Sequence, residues 1–210
     1  MGSRLMHLAI AASVRNELPG VDRNRFLLGS LLPDAAFDGN SRSHWKIYLS
    51  DGQKRTYDLR GFRALFSEQL KSDPLYLGYY LHLVQDLMFR RFVYYTHRWD
   101  PYPAGNVERL HRDYALLNPY IVEKYRLESP TEAPRLTEPE PLTRGCEYDV
   151  PALLRELQTD FVERPEGEFF FFRPDMADDY ISLSVPACVS ELSALQTGGG
   201  FVDEIALAWS

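Results

Sequence analysis

His82 and Asp86, in the segment His82-Leu83-Val84-Gln85-Asp86, are four residues apart and so share one face of a helix. An imidazole and a carboxylate would project the same way from a stretch otherwise built of Leu77, Tyr80, Leu81, Leu83, Val84, Leu87 and Phe89. A carboxylate in such surroundings is costly unless it is paired or bound to a metal. A surface pair, or a bridge from Asp86 to Arg90 one turn on, fits the same spacing. Asp34, in Leu31-Leu32-Pro33-Asp34, falls at the end of an apolar helix, where the helix dipole disfavours negative charge by ~0.3–1 kcal/mol. A bound cation would reverse that penalty, and an Asp that begins the following turn would avoid it. His7 shares a helix face with Ile10, Ala11 and Val14, as a core imidazole or a ligand. His44, in Ser43-His44-Trp45, reads as a loop residue, ordinarily exposed and silent.

Taken together, three histidines and two aspartates form a mixed nitrogen and oxygen set that suits zinc, iron or manganese. Five ligands exceed one tetrahedral site, so a carboxylate bridging two ions is the economical arrangement. Two ions roughly 4 Å apart suit phosphoester hydrolysis, because they generate hydroxide and stabilise both the entering and leaving oxygens. Other chemistries lack their residues: the chain has no His-Glu-x-x-His, no Cys-x-x-Cys, no Walker loop, no Gly-x-Ser-x-Gly and no His-Asp dipeptide. The competing expectation is a helical protein whose metal site is structural or vestigial, with no catalysis.

These residues need helices to hold them, and the pattern predicts an all-α, single-domain helical bundle over residues 1–210. Helical spacing covers 4–17, 23–32, 58–71, 74–97, 105–126 (disturbed near Pro119), 150–163 and 175–197. Asp73 and Pro74 begin the longest helix as cap and first-turn residue. Residues 35–56 read as loop, punctuated by Gly39-Asn40 and Asp51-Gly52. A Pro-rich linker spans 128–142, and Phe169 to Phe172 is a short strand or a segment laid over the core.

The 210 residues are 45% hydrophobic and 25% charged, which excludes wholesale disorder. No transmembrane segment is expected: the most apolar stretch, Tyr76 to Tyr95, carries His82, Asp86, Arg90 and Arg91. The N-terminus offers no signal-peptide core, and Cys146 and Cys188 form no framework, so a cytoplasmic protein with reduced thiols is expected. The net charge of −7 excludes nucleic acid as an obligate partner. Residues 1–105 hold 14 Lys and Arg against 10 Asp and Glu, whereas residues 106–210 hold 9 against 20. The mildly basic half also carries His7, His44, His82 and His97, which suits a small anionic substrate.

In order and context, His7, Asp34 after Gly29-Ser30-Leu31-Leu32-Pro33, His44, and His82 with Asp86 in Tyr79-Tyr80-Leu81-His82-Leu83-Val84-Gln85-Asp86 resemble the zinc-dependent phospholipase C family. The resemblance covers roughly residues 4–97 and implies an all-helical fold that cleaves phosphodiesters with bound zinc. By that likeness Asp34, His44, His82 and Asp86 would hold one ion, and His7 with a bridging Asp86 a second. Asp34 would also be the base for the attacking water. The family's secreted members ligate metal with a processed N-terminus, whereas six residues precede His7 here. Its further site uses His-x-x-x-Glu, whereas His111 is followed four residues on by Ala115, which leaves His111 as a reduced candidate for a further metal. The chain therefore resembles a cytosolic relative with fewer metals. Arg90 is the candidate for a substrate phosphate at the pocket edge, or the ion-pair partner of Asp86.

Overall fold

The computed structural model describes residues 2–36, 40–129, 142 and 146–209. Nine α-helices and one small hairpin make up the described chain: α1 (Arg4–Val14), α2 (Arg23–Gly29), α3 (Asn40–Ser43), β1 (Lys46–Tyr48), β2 (Arg55–Tyr57), α4 (Leu59–Leu65), α5 (Gln69–Ser72), α6 (Pro74–Arg90), α7 (Asn106–Lys124), α8 (Val150–Val162) and α9 (Pro174–Thr197). The fold is all-α, and no described helix is long and apolar enough to cross a membrane. The linker expected over 128–142 lies almost wholly outside the described residues.

The axis of the core is α6, buried without interruption from Leu75 to Leu87. Asp73 starts it by accepting the Leu75 N–H at 2.9 Å, with Pro74 where a missing N–H does no harm. Arg25 of α2 grips the same carboxylate with Nε at 2.6 Å and Nη2 at 2.5 Å, pinning the starts of the two helices together. Farther along, α2 and α6 cross with almost no space between their backbones. A methyl group on Gly29 would lie 2.2 Å from the Leu75 carbonyl oxygen, and one on Gly78 2.2 Å from that of Phe26. Only glycine allows this approach. It brings the C-terminal end of α2 against the face of α6 that carries His82.

The remaining helices close around this pair. α1 is capped by Ser3, whose Oγ accepts the Met6 N–H at 3.2 Å, and packs against α6 and α9. α9 carries Pro186 within its length and stops at Gly198, whose φ of 79° suits a left-handed cap. Asp113 on α7 accepts the backbone N–H groups of Phe170, Phe171 and Phe172 at 2.7–2.8 Å. That bond set holds the aromatic run as an extended segment over the core, with Phe172 fully buried, and it forms no strand.

Several helical spans are shorter than their periodicity suggests. The span 58–71 breaks at Phe66 into α4 and α5, and 74–97 ends its α-helix at Arg90, winding on as a wider π-helical turn from Arg91 to Thr96. Residues 35–56 are not simply loop. They contain α3 and the antiparallel pair β1–β2, with Lys46 opposite Tyr57 and Tyr48 opposite Arg55. Strands of three residues show no readable alternation, and this pair gains its outer partner from far away: Arg55 and Trp209 exchange backbone hydrogen bonds at 2.6 and 2.9 Å.

Candidate metal centre

Five side chains meet where α1, α2, α3 and α6 converge. His7 comes from α1 and His82 and Asp86 from α6. Asp34 comes from a 3-10 turn (Leu32–Ala35) that follows α2, and His44 from the residue after α3. His7, His44, His82 and Asp86 are wholly buried, and the Asp34 side chain is 12% exposed. Two triads have mutually close donor atoms, His7–Asp34–His82 and His44–His82–Asp86, each within 4.8 Å, and they share His82.

Local structure aims each group. The Ser30 carbonyl, delivered by the glycine crossing, lies 2.8 Å from His82 Nδ1. A carbonyl only accepts, so Nδ1 carries the proton and Nε2 turns a lone pair inward. His7 Nδ1 donates likewise to Gln85 Oε1 at 2.8 Å, and its Nε2 points into the cluster. His44 Nδ1 lies 3.1 Å from Ser43 Oγ. Trp45, next in the chain, takes φ 53°, a left-handed turn rare for a bulky residue, which sends the chain from α3 into β1 while leaving His44 facing inward. Asp34 differs from its sequence reading. α2 ends at Gly29, and Asp34 sits in the first turn of a new 3-10 segment, so no unfavourable helix end bears on it.

The inner atoms are nearly all acceptors. Around His44 Nε2 stand His82 Nε2 at 3.1 Å, Asp34 Oδ1 at 3.3 Å and Asp86 Oδ2 at 3.4 Å, three acceptors for at most one proton. Asp86 Oδ1 faces the other way, 3.4 Å from His7 Nε2 and 3.3 Å from the backbone N–H of Gly2. Among the described residues, Asp34 Oδ1 and His7 Nε2 are buried without a hydrogen bond of good geometry. Tetrahedral zinc with bonds of ~2.0–2.1 Å sets its ligand atoms about 3.3 Å apart. Donor atoms so spaced, with more acceptors than protons among them, could hold an ion, and the two Asp86 oxygens face different histidines.

The electrostatics follow from the crowding. Burial, then the charge of His7, drives His82 down to about 3, so it stays neutral. Burial also disfavours the His7 cation, but Asp86 outweighs it and raises His7 above the ordinary imidazole range. Burial opposes ionisation of both aspartates, yet the surrounding imidazoles prevail. Asp34 is lowered to about 2, and Asp86 is held well below the carboxylate range. Both are anions, ready for cations.

Asp34 is the cluster's one member on the wall of a cleft of about 340 Å³, shared with Gly2, Arg4, His111, Tyr114 and Asp160. His111 stands on that wall, but it belongs to neither ligand group. Arg90 is placed elsewhere. Its Nε donates to Tyr57 Oη at 2.9 Å, and Tyr57 in turn donates to Asp86 Oδ2 at 3.3 Å. Neither the direct ion pair with Asp86 nor a place on the Asp34 cleft is observed; Arg90 lines a second cleft instead. Tyr57, Gln85 and the Ser30 carbonyl complete the cluster and were not singled out by sequence. Gln85 adjoins Asp86 and was within reach of the helical pattern, whereas Tyr57 depends on the hairpin. No protein-family model matches the chain, and neither a curated protein nor a solved structure is significantly similar to it.

Proposed function

We propose that the protein is a metal-dependent hydrolase of a phosphate ester, with His7, Asp34, His44, His82 and Asp86 holding two divalent ions, zinc by the resemblance to zinc-dependent phospholipases C, with iron or manganese suited to the same donors. The observation that carries this reading is the buried surplus of acceptor atoms, with the one partly exposed member on a cleft wall. A purely structural metal site is typically closed, and the exposure of Asp34 is what favours the catalytic reading over that alternative.

Two ions so held would acidify a water molecule and offset the charge that develops on a phosphoester under attack. Asp86, supported by Tyr57 and Gly2, keeps one oxygen toward His7 and the other toward His44 and His82. Gln85 and Ser30 fix the tautomers of His7 and His82, so that neither ring has to reorganise during a turnover. Asp34, ionised and at the cleft, accepts the proton of the attacking water. At about 340 Å³ the cleft suits a small group at the reacting end of the substrate. Arg4 lines it, already paired with Glu156 at 2.6 Å and Asp160 at 2.7 Å.

The test is a panel of generic phosphodiesters and monoesters assayed with metal-reconstituted protein, with and without a chelator. Turnover that the chelator abolishes and zinc restores is expected. Turnover indifferent to chelator, or none across the panel at full metal occupancy, would overturn the proposal.

A further inference from the structure

The cleft that receives Arg90 has a wall of its own kind. It encloses about 600 Å³ and is lined by Arg55, Arg90, Tyr94, Trp99, Tyr102 and Trp209, among others. The Arg90 guanidinium lies over the Trp209 ring at 4.1 Å and within 5.6 Å of the Tyr94 ring, with Tyr57 below it. Arg55 rests 5.8 Å from the Tyr48 ring. Among the described residues neither arginine has a carboxylate within ion-pair distance, and Lys46 lies on the same hairpin face as Arg55. Positive charge therefore lies against aromatic faces, and Arg90 reaches the Asp86 carboxylate only through Tyr57. Asp100, also on the wall, caps its own turn by accepting the Tyr102 N–H at 3.0 Å. Two further features point to a ligand. Trp99 is 8% exposed, and its indole N–H is buried with no acceptor among the described residues. Tyr102 is 85% exposed, a large ring on the cleft wall with no ring of the described residues stacked on it.

We infer that this cleft binds an anionic group joined to a flat aromatic ring, of the nucleotide or aryl phosphate class, with Arg55 and Arg90 on the anion and Tyr102, Trp99 and Trp209 around the ring. Cations fixed over rings suit such a ligand twice: they attract its charge and offer stacking planes to its ring. The site is distinct from the Asp34 cleft and does not depend on whether the metal centre is catalytic. It is joined to that centre by the chain Arg90–Tyr57–Asp86.

The experiment uses the metal-stripped 210-residue chain, so that no probe is hydrolysed or metal-bound. Trp99 and Trp209, two of the three tryptophans, line the cleft, and so intrinsic fluorescence reports on it. Adenosine monophosphate, adenosine and inorganic phosphate are titrated separately. The nucleotide is expected to change the fluorescence saturably, and to bind about tenfold or more tighter than adenosine or phosphate alone. Tyr102→Ala, at a residue too exposed to matter for folding, and Arg55→Gln should each weaken it by about tenfold. The inference is overturned by no saturable change, by adenosine or phosphate binding as tightly as the nucleotide, or by binding that both variants leave unaltered.

Discussion

α6 carries two buried polar clusters, and they are built on opposite principles. Around Tyr80, each donor meets an acceptor. Tyr80 Oη donates to Glu191, Arg63 Nη1 donates to Tyr80 at 2.6 Å, and the Val202 N–H donates to the other Glu191 oxygen. Around His82 and Asp86, farther along the same helix, acceptors outnumber donors: Asp86 takes the Gly2 N–H and the Tyr57 hydroxyl, His44 and His82 meet Nε2 to Nε2, and the other ring nitrogens are tied outward to Ser30, Gln85 and Ser43. A fully satisfied buried network needs nothing more. A buried cluster with a surplus of lone pairs gains from a cation, which is why the second cluster reads as a candidate binding centre and the first as part of the scaffold.

The comparison can be broken most forcefully at Asp34. Asp34→Asn keeps an oxygen near the site but loses the proposed base, so turnover should fall by about 10²–10⁴-fold, more than any loss of metal explains. Steady-state rates alongside metal content separate the two effects; equal losses in both would leave Asp34 as a ligand only.

Next is the crossing that delivers Ser30. Gly78→Ala places a methyl 2.2 Å from the Phe26 carbonyl oxygen, so the helices must part. A loss toward the upper end of about 1–3 kcal/mol is expected in denaturant unfolding. Because the His82–Ser30 bond shifts too, metal affinity should fall by about 10–100-fold.

The satisfied cluster should respond differently. Glu191→Gln leaves Arg63 without its anionic partner and should cost about 1–3 kcal/mol, with metal uptake and turnover unchanged. Any loss of metal in that variant would erase the distinction between the clusters.

The smallest effect concerns protons. With its folded pKa raised by Asp86, the protonated His7 stabilises the metal-free protein at low pH, and that contribution disappears as pH rises through the raised value. Metal competes for the same lone pair. Uptake should therefore weaken as pH falls from about 8 toward the ordinary imidazole value of about 6.5, with protons released on binding. Metal affinity that is flat over this range would place the competing proton elsewhere.

How much of this was legible in the chain depended on distance along it. The i, i+4 pair of His82 and Asp86 and the apolar face around His7 follow from helical period alone, and the structure sets these residues together. His44 was legible as a residue outside a helix, but not as a buried one, because its burial is imposed by the left-handed turn at Trp45 and by the hairpin after it. The hairpin itself rests on Trp209, more than 150 residues after Arg55, and no local pattern announces such a partner. The same gap misplaces Arg90. Four residues from Asp86, it is near enough for a direct pair, yet Tyr57 enters from the hairpin and takes the place between them. The glycines at 29 and 78 were visible, but their purpose appears only when two helices cross.

The account rests on cations at the His82–Asp86 cluster, and a calorimetric titration of metal-stripped protein with zinc, beside Asp86→Asn, tests it most directly. Asp86 is the one carboxylate whose two oxygens face different histidines, so its neutral amide should abolish or sharply weaken a binding event that reaches about two ions per chain in the unaltered protein. The variant should remain helical, since Asn keeps the size of the side chain and an oxygen for the Gly2 N–H while removing one buried charge. Folded, unaltered protein that takes up no zinc, or an Asp86→Asn variant that takes it up undiminished, would contradict the account.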